Sequence, residues 1–158
     1  MLFLLSCHPV VDCSIDQKIV FGLDGGYGDH LQYVLDPDGT YKKYDVPLSL
    51  IQPEELRCSG KLPACGNRQK SLDDLQEVLN NQVVEDALLH HTLFGKDDRG
   101  VDDDVFEIWI GKQYFDIGNL CATCQGRDMP ACCPPPEIMA LYRMLEEISA
   151  QIEADCTE

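Results

Sequence analysis

The chain has 158 residues, enough for one domain with a sizeable core and too few for two. Its formal net charge is −16, from 28 acidic against 12 basic residues, which argues against a nucleic-acid ligand and disfavours an anionic membrane surface, since both would be repelled. Nine cysteines in a chain of this length match the density of an extracytoplasmic domain stapled by disulfides, with one thiol left over from any complete pairing.

The start of the chain offers a use for the odd cysteine. Leu4-Leu5-Ser6-Cys7 is similar to the lipobox of bacterial lipoproteins, in which the cysteine sulfur carries lipid and the residue becomes the mature N-terminus. Removing Cys7 from the count leaves an even set of eight. The apolar run before it is short for a signal segment and lacks Lys or Arg, so residues 1–7 are taken as the remnant of a signal that begins upstream of Met1. A cytoplasmic protein with an apolar N-terminus stays open as the alternative.

Residues 8–17 form an extended leader in which Cys13 could be stapled to a distant partner, and residues 18–156 form a single domain. Lys18 to Leu23 is a β-rich run that ends in Asp24-Gly25-Gly26-Tyr27-Gly28-Asp29, a glycine cluster suited to a tight turn. His30 to Asp36 alternates, with Leu31, Tyr33 and Leu35 on one side. Asp36-Pro37-Asp38-Gly39 is a strong turn signal, and Thr40 to Asp45 returns as a third strand whose Lys42 and Lys43 suit an exposed edge. Residues 46–70, with three prolines and the pair Cys58 and Cys65, have the composition of a loop.

Ser71 and Asp74 make a capping signal, after which Leu72, Leu75, Val78 and Leu79 recur at helical spacing. This helix either stops near Asn80-Asn81 or runs on to Leu89. Past an acidic loop, Ile110-Gly111-Lys112-Gln113 has the length and the leading glycine of a type II′ hairpin turn. That turn sets Tyr114 opposite Trp109, Phe115 opposite Ile108 and Ile117 opposite Phe106. Phe106, Ile108, Phe115 and Ile117 then share the core face, and Trp109, Tyr114, Glu107 and Asp116 share the other. A cysteine-rich insertion at 118–133 follows. Pro134-Pro135-Pro136 then presets a final helix in which Ile138, Leu141, Leu145, Ile148 and Ile152 form the apolar stripe. The expected fold is α+β: a three-stranded meander, a helix, a β-hairpin and a helix, giving an antiparallel sheet with both helices on one face.

This order, with the Gly25-Gly26-Tyr27-Gly28 turn, the leucine-bearing first helix, the DVFEIWIGKQYFDI hairpin and the proline-led last helix, resembles the emfourin-like family of small bacterial proteins, typified by an inhibitor of the metalloprotease protealysin. The likeness would span residues 18–152. It departs from the family in the cysteines, the loop at 46–70 and the insertion at 118–133. What the resemblance implies is a non-catalytic protein-binding module that acts as an inhibitor of a secreted protease.

Cys121-x-x-Cys124 followed by Cys132-Cys133 is half of a zinc knuckle, but adjacent cysteines poorly serve one tetrahedral ion, so disulfides are favoured over zinc. The same Cys121/Cys124 pair as a thiol-disulfide oxidoreductase would need a helix N-terminus, and loop-like residues follow it instead. The aspartates at 97, 98, 102, 103 and 104 lack EF-hand spacing, as do Asp24, Asp29, Asp36 and Asp38. His90 and His91 are read as a solvated surface pair. No catalytic residue, cofactor or metal ligand is assigned. The preferred disulfides are Cys58–Cys65, two bonds among Cys121, Cys124, Cys132 and Cys133, and Cys13–Cys156 tying the ends. Trp109 and Tyr114, with Tyr27, are the candidate binding residues. The overall expectation is an extracytoplasmic, lipid-anchored, disulfide-stapled protein-binding module.

Overall fold

The computed structural model describes residues 14–24, 30–46, 55–62, 72–94, 105–118 and 134–157. Among the described residues it is an α+β structure built on one seven-stranded sheet in the order β4-β3-β2-β1-β6-β7-β5. The strands are β1 (Ile19–Asp24), β2 (His30–Leu35), β3 (Thr40–Val46), β4 (Glu55–Lys61), β5 (Leu93–Phe94), β6 (Val105–Ile110) and β7 (Gln113–Gly118). All neighbours are antiparallel except β5 and β7. The helices among the described residues are α1 (Leu72–Leu79), α2 (Gln82–Leu89) and α3 (Pro136–Cys156).

Turn chemistry sets the sheet register. Gly111 has φ of +61°, the left-handed value that the first central position of a type II′ turn demands, and the β6–β7 ladder runs from Ile110 opposite Gln113 to Val105 opposite Gly118. The β2–β3 turn closes in the same local way. Gly39 at φ +86° donates its N–H to the Asp36 carbonyl at 2.9 Å, while the Asp38 carboxylate accepts from the Thr40 N–H at 2.9 Å and its hydroxyl at 3.0 Å. Those hydrogen bonds hold the Asp38 carboxyl below its ordinary value.

Because β-strand side chains alternate, the register lines up one apolar face across five strands. Tyr41, Leu35, Ile19 and Ile110 occupy one row, and Tyr33, Phe21, Ile108 and Phe115 the next. All eight are buried. Helix α3 supplies Ile138, Leu141, Leu145, Ile148 and Ile152, each at most 1 % exposed, and Tyr142 meets Phe106 edge-on at 4.8 Å between ring centres. Leu72 and Leu75 of α1 and Val84, Ala87 and Leu88 of α2 belong to the same core. Ile15, placed by sequence in the leader, is a core residue too, and its N–H donates to the Pro37 carbonyl at 3.0 Å.

Four local readings need correction. The stretch at 46–70 is not all loop: β4 pairs with β3 along its length, with a bulge at the Lys43/Tyr44 step. Its sequence, Glu-Leu-Arg-Cys-Ser-Gly-Lys, carries no apolar alternation because the strand is mostly exposed, so pairing rather than burial forms it. Consequently β3 is an interior strand and not an edge. Lys43, instead of facing solvent, forms an ion pair with Glu153 of α3 at 2.6 Å and is 14 % exposed. The first helix stops at Leu79, next to the Asn80-Asn81 end expected for it, but residues 82–89 are not loop: Asn81 caps a second helix there, its side chain accepting from the Val83 N–H at 2.9 Å.

The fourth correction concerns sulfur. Cys58 is bonded to Cys156, with 5.8 Å between their α-carbons, so neither Cys58–Cys65 nor Cys13–Cys156 exists. Nearness in sequence favoured the short ring. The fold instead lays β4 beside the C-terminal end of α3, and that proximity selects the partner 98 residues away. Cys7, Cys13, Cys65, Cys121, Cys124, Cys132 and Cys133 lie outside the described residues, as do Tyr27, the glycine turn around it and the acidic loop at 95–104.

Candidate binding surface

The face of the sheet opposite the core carries the second set of alternating side chains. Its central row crosses five strands as Lys42, Val34, Val20, Trp109 and Tyr114, in register. Every one of these is partly exposed. The neighbouring row runs Tyr44, Gln32, Gly22, Glu107 and Asp116. In that row Gly22 is buried and one carboxylate oxygen of Asp116 is shut off from solvent, so part of this face is covered.

Trp109 and Tyr114 stack with ring centres 4.4 Å apart and planes 24° from parallel. They face each other because the hairpin register sets them directly opposite, and strand spacing of about 4.8 Å matches ring stacking. His91 extends the stack, its ring 4.8 Å from that of Tyr114 at 29°. Its Nδ1 also lies 3.4 Å from the Tyr114 carbonyl oxygen. Glu107 accepts a hydrogen bond from the Trp109 indole at 3.4 Å, which fixes the indole's edge beside a carboxylate.

The end of α2 places His91. The His91 N–H donates to the Leu88 carbonyl at 3.4 Å and the Thr92 N–H to the Ala87 carbonyl at 3.0 Å, the paired bonds of a Schellman ending. That ending needs a left-handed residue, and His91 supplies it with φ of 49°, although glycine is the usual occupant. The Asp116 N–H then donates to the Thr92 carbonyl at 3.0 Å, tying the helix end to β7 and holding the imidazole over Tyr114.

Sequence reasoning found Trp109 and Tyr114 through the hairpin register. It missed His91, which is exposed as expected but stacked rather than merely solvated. No motif signals a histidine in a left-handed helix ending; the one hint is that the apolar periodicity ends at Leu89 with no glycine behind it. Among the described residues there is no group of three or more His, Cys, Asp or Glu side chains arranged to hold a metal ion. Two of the aspartates considered for calcium have local duties: Asp36 pairs with Lys18 at 3.4 Å and Asp38 closes its turn. No described helix is long and apolar enough to cross a membrane. No protein-family model matches the sequence, and no curated protein is significantly similar to it.

Proposed function

We propose that this chain is a non-catalytic protein-binding module of an oxidising, extracytoplasmic compartment, anchored by lipid on Cys7, whose recognition surface is the outer sheet face around Trp109, Tyr114 and His91. The observation that carries the reading is the three-ring stack on the side of the sheet away from the core. Aromatic side chains that are rigid, partly exposed and not needed for the core are the residue types that concentrate binding energy at protein interfaces. The Cys58–Cys156 bond supports the compartment, because a cross-link between distant segments persists where thiols are oxidised. The resemblance to emfourin-like inhibitors makes a secreted metalloprotease the target of choice.

Titration of the purified chain into a secreted thermolysin-type metalloprotease, read by peptide hydrolysis, tests the target. Stoichiometric loss of peptidase activity that is relieved at least tenfold by Trp109→Ala supports it. Undiminished activity, or inhibition equally strong in the variant, counts against it. Mass analysis of the mature N-terminus tests the anchor: diacylglycerol on Cys7 is expected, and an unmodified Met1 contradicts it.

A further inference from the structure

The disulfide joins two elements that the rest of the fold holds in different ways. None of the seven residues of β4 is buried, and Cys58 and Cys156 are themselves half-buried. The strand is kept in place by its ladder with β3, by the buried Leu62 that follows it, and by sulfur. Helix α3 has its own ties to β2 and β3, because its Glu153 accepts from Tyr33 and Lys43, and its Asp155 from Tyr41.

The two sulfurs also stand in unequal surroundings. Cys58 is directly opposite Lys43 in the β3–β4 ladder, so its sulfur and the ammonium share one face of the sheet. Cys156 lies in the last turn of α3, at the negative end of the helix dipole, in a turn that has no basic residue and carries Glu153 and Asp155. Glu55 and Arg57, the charges on β4 nearest to Cys58 in sequence, pair with each other at 3.5 Å. A thiolate is favoured beside a cation and disfavoured at a helix C-terminus, and the sulfur that better carries negative charge departs faster.

From these surroundings we infer that the Cys58–Cys156 bond is a reversible latch on β4, opened by the dithiol of a thiol-disulfide oxidoreductase that attacks the Cys156 sulfur. The attacking thiolate bonds to Cys156 Sγ as the S–S bond breaks, and Cys58 departs as a thiolate that takes a proton from water. The second thiol of the oxidoreductase then displaces Cys156, which leaves with that thiol's proton. Two electrons and two protons have passed to this chain, and the oxidoreductase keeps a disulfide. The polar ties keep α3 seated on β2 and β3, while β4 retains its ladder and Leu62 alone and frays. This inference does not rest on the recognition surface, since Trp109 on β6 is four strands from β4.

The probe is a thioredoxin whose second active-site cysteine is replaced by serine, which traps the mixed disulfide on the full chain for non-reducing peptide mapping. Attachment to the Cys156 peptide at least fivefold over the Cys58 peptide is expected. An equal or reversed ratio, or neither peptide in a mixed disulfide, would overturn the inference. Lys43→Met should slow attachment at least threefold and Lys43→Arg should restore it; a methionine variant as fast as the original, or an arginine variant as slow as methionine, would remove Cys58 as the departing sulfur. Amide exchange in the Cys58→Ser/Cys156→Ser double variant, without reductant, reads the latch itself. Exchange at least tenfold faster across residues 55–61 is expected, with β6 and β7 within twofold and the emission of Trp109, the single tryptophan, unchanged. Unchanged protection of β4 would overturn the latch, and so would lost protection throughout, because the bond would then hold the whole fold rather than one strand.

Discussion

Lys43 and Glu153 form an ion pair at 2.6 Å that lies alongside the Cys58–Cys156 bond, because Lys43 is the cross-strand neighbour of Cys58 and Glu153 precedes Cys156 by about one helical turn. The Tyr33 hydroxyl donates to the same carboxylate, and the Tyr41 hydroxyl donates to Asp155 at 3.3 Å. A covalent link and a polar cluster therefore hold one junction, where the end of α3 crosses β2, β3 and β4. Gly60 permits the close approach of the Tyr41 ring to β4, since a β-carbon there would collide with the phenol.

Burial alone would push the Glu153 carboxyl up, but hydrogen bonds from Lys43 and Tyr33 and the Lys43 charge hold it below its ordinary value of 4.5. A carboxyl lowered by folding adds stability that is present above the unfolded value and is lost as pH falls through the folded one. Urea unfolding followed from about pH 6 down to about pH 3 should show that loss, and Lys43→Met should flatten it. Identical pH slopes in the two proteins would remove Lys43 as the cause.

Loss of the disulfide should be costly because the ring it closes is long. The chain-entropy estimate for so long a ring is about 5 kcal/mol and native bridges typically deliver about 2 to 5, so Cys58→Ser or Cys156→Ser should destabilise within that range, and the double substitution should cost no more than either single one. Denaturant unfolding without reductant measures this. Non-reducing peptide mapping should recover the Cys58 and Cys156 peptides joined, and recovery of Cys58 with Cys65 would contradict the fold at β4.

His91 balances a backbone cost against a ring contact. A non-glycine residue in the left-handed region costs about 1 kcal/mol, and an aromatic pair returns about the same. His91→Ala keeps the cost and loses the contact, so it should destabilise by about 1 kcal/mol, whereas His91→Gly removes both and should be close to neutral. Thermal unfolding distinguishes them, and equal losses in both variants would show that the ring contact, not the backbone, sets the balance.

Asn81 separates α1 from α2 by capping the second helix, so Asn81→Ala should cost about 1 kcal/mol and Asn81→Gly only a few tenths. Circular dichroism during urea unfolding reads both. An alanine variant as stable as the original would assign the break between the helices to packing instead.

The parts of the fold legible in the sequence are those where local chemistry and burial agree. Gly111 and the alternation around it specified the β6–β7 register, and the stripe from Ile138 to Ile152 specified α3. The parts that were not legible depend on neighbours. Strand β4 has no buried pattern of its own and exists through its pairing with β3; β5 is two residues long and depends on β7. Cys156 is a partner for Cys58 only once α3 is packed across the sheet, a fact that ring size in the sequence cannot supply. At the candidate site the same division holds. The opposition of Trp109 and Tyr114 follows from a turn four residues long, while the contribution of His91 requires a backbone angle that no residue pattern announces.

The proposed recognition surface is the outer sheet face and not the solvated side of α3. A photo-reactive benzoylphenylalanine at Tyr114, at Val34 or at Glu146, irradiated in the source cells, compares the two surfaces directly. A discrete covalent adduct of one partner protein is expected from positions 114 and 34 and none from 146. Adducts from position 146 alone, or a lack of any adduct from 114 and 34, would contradict it.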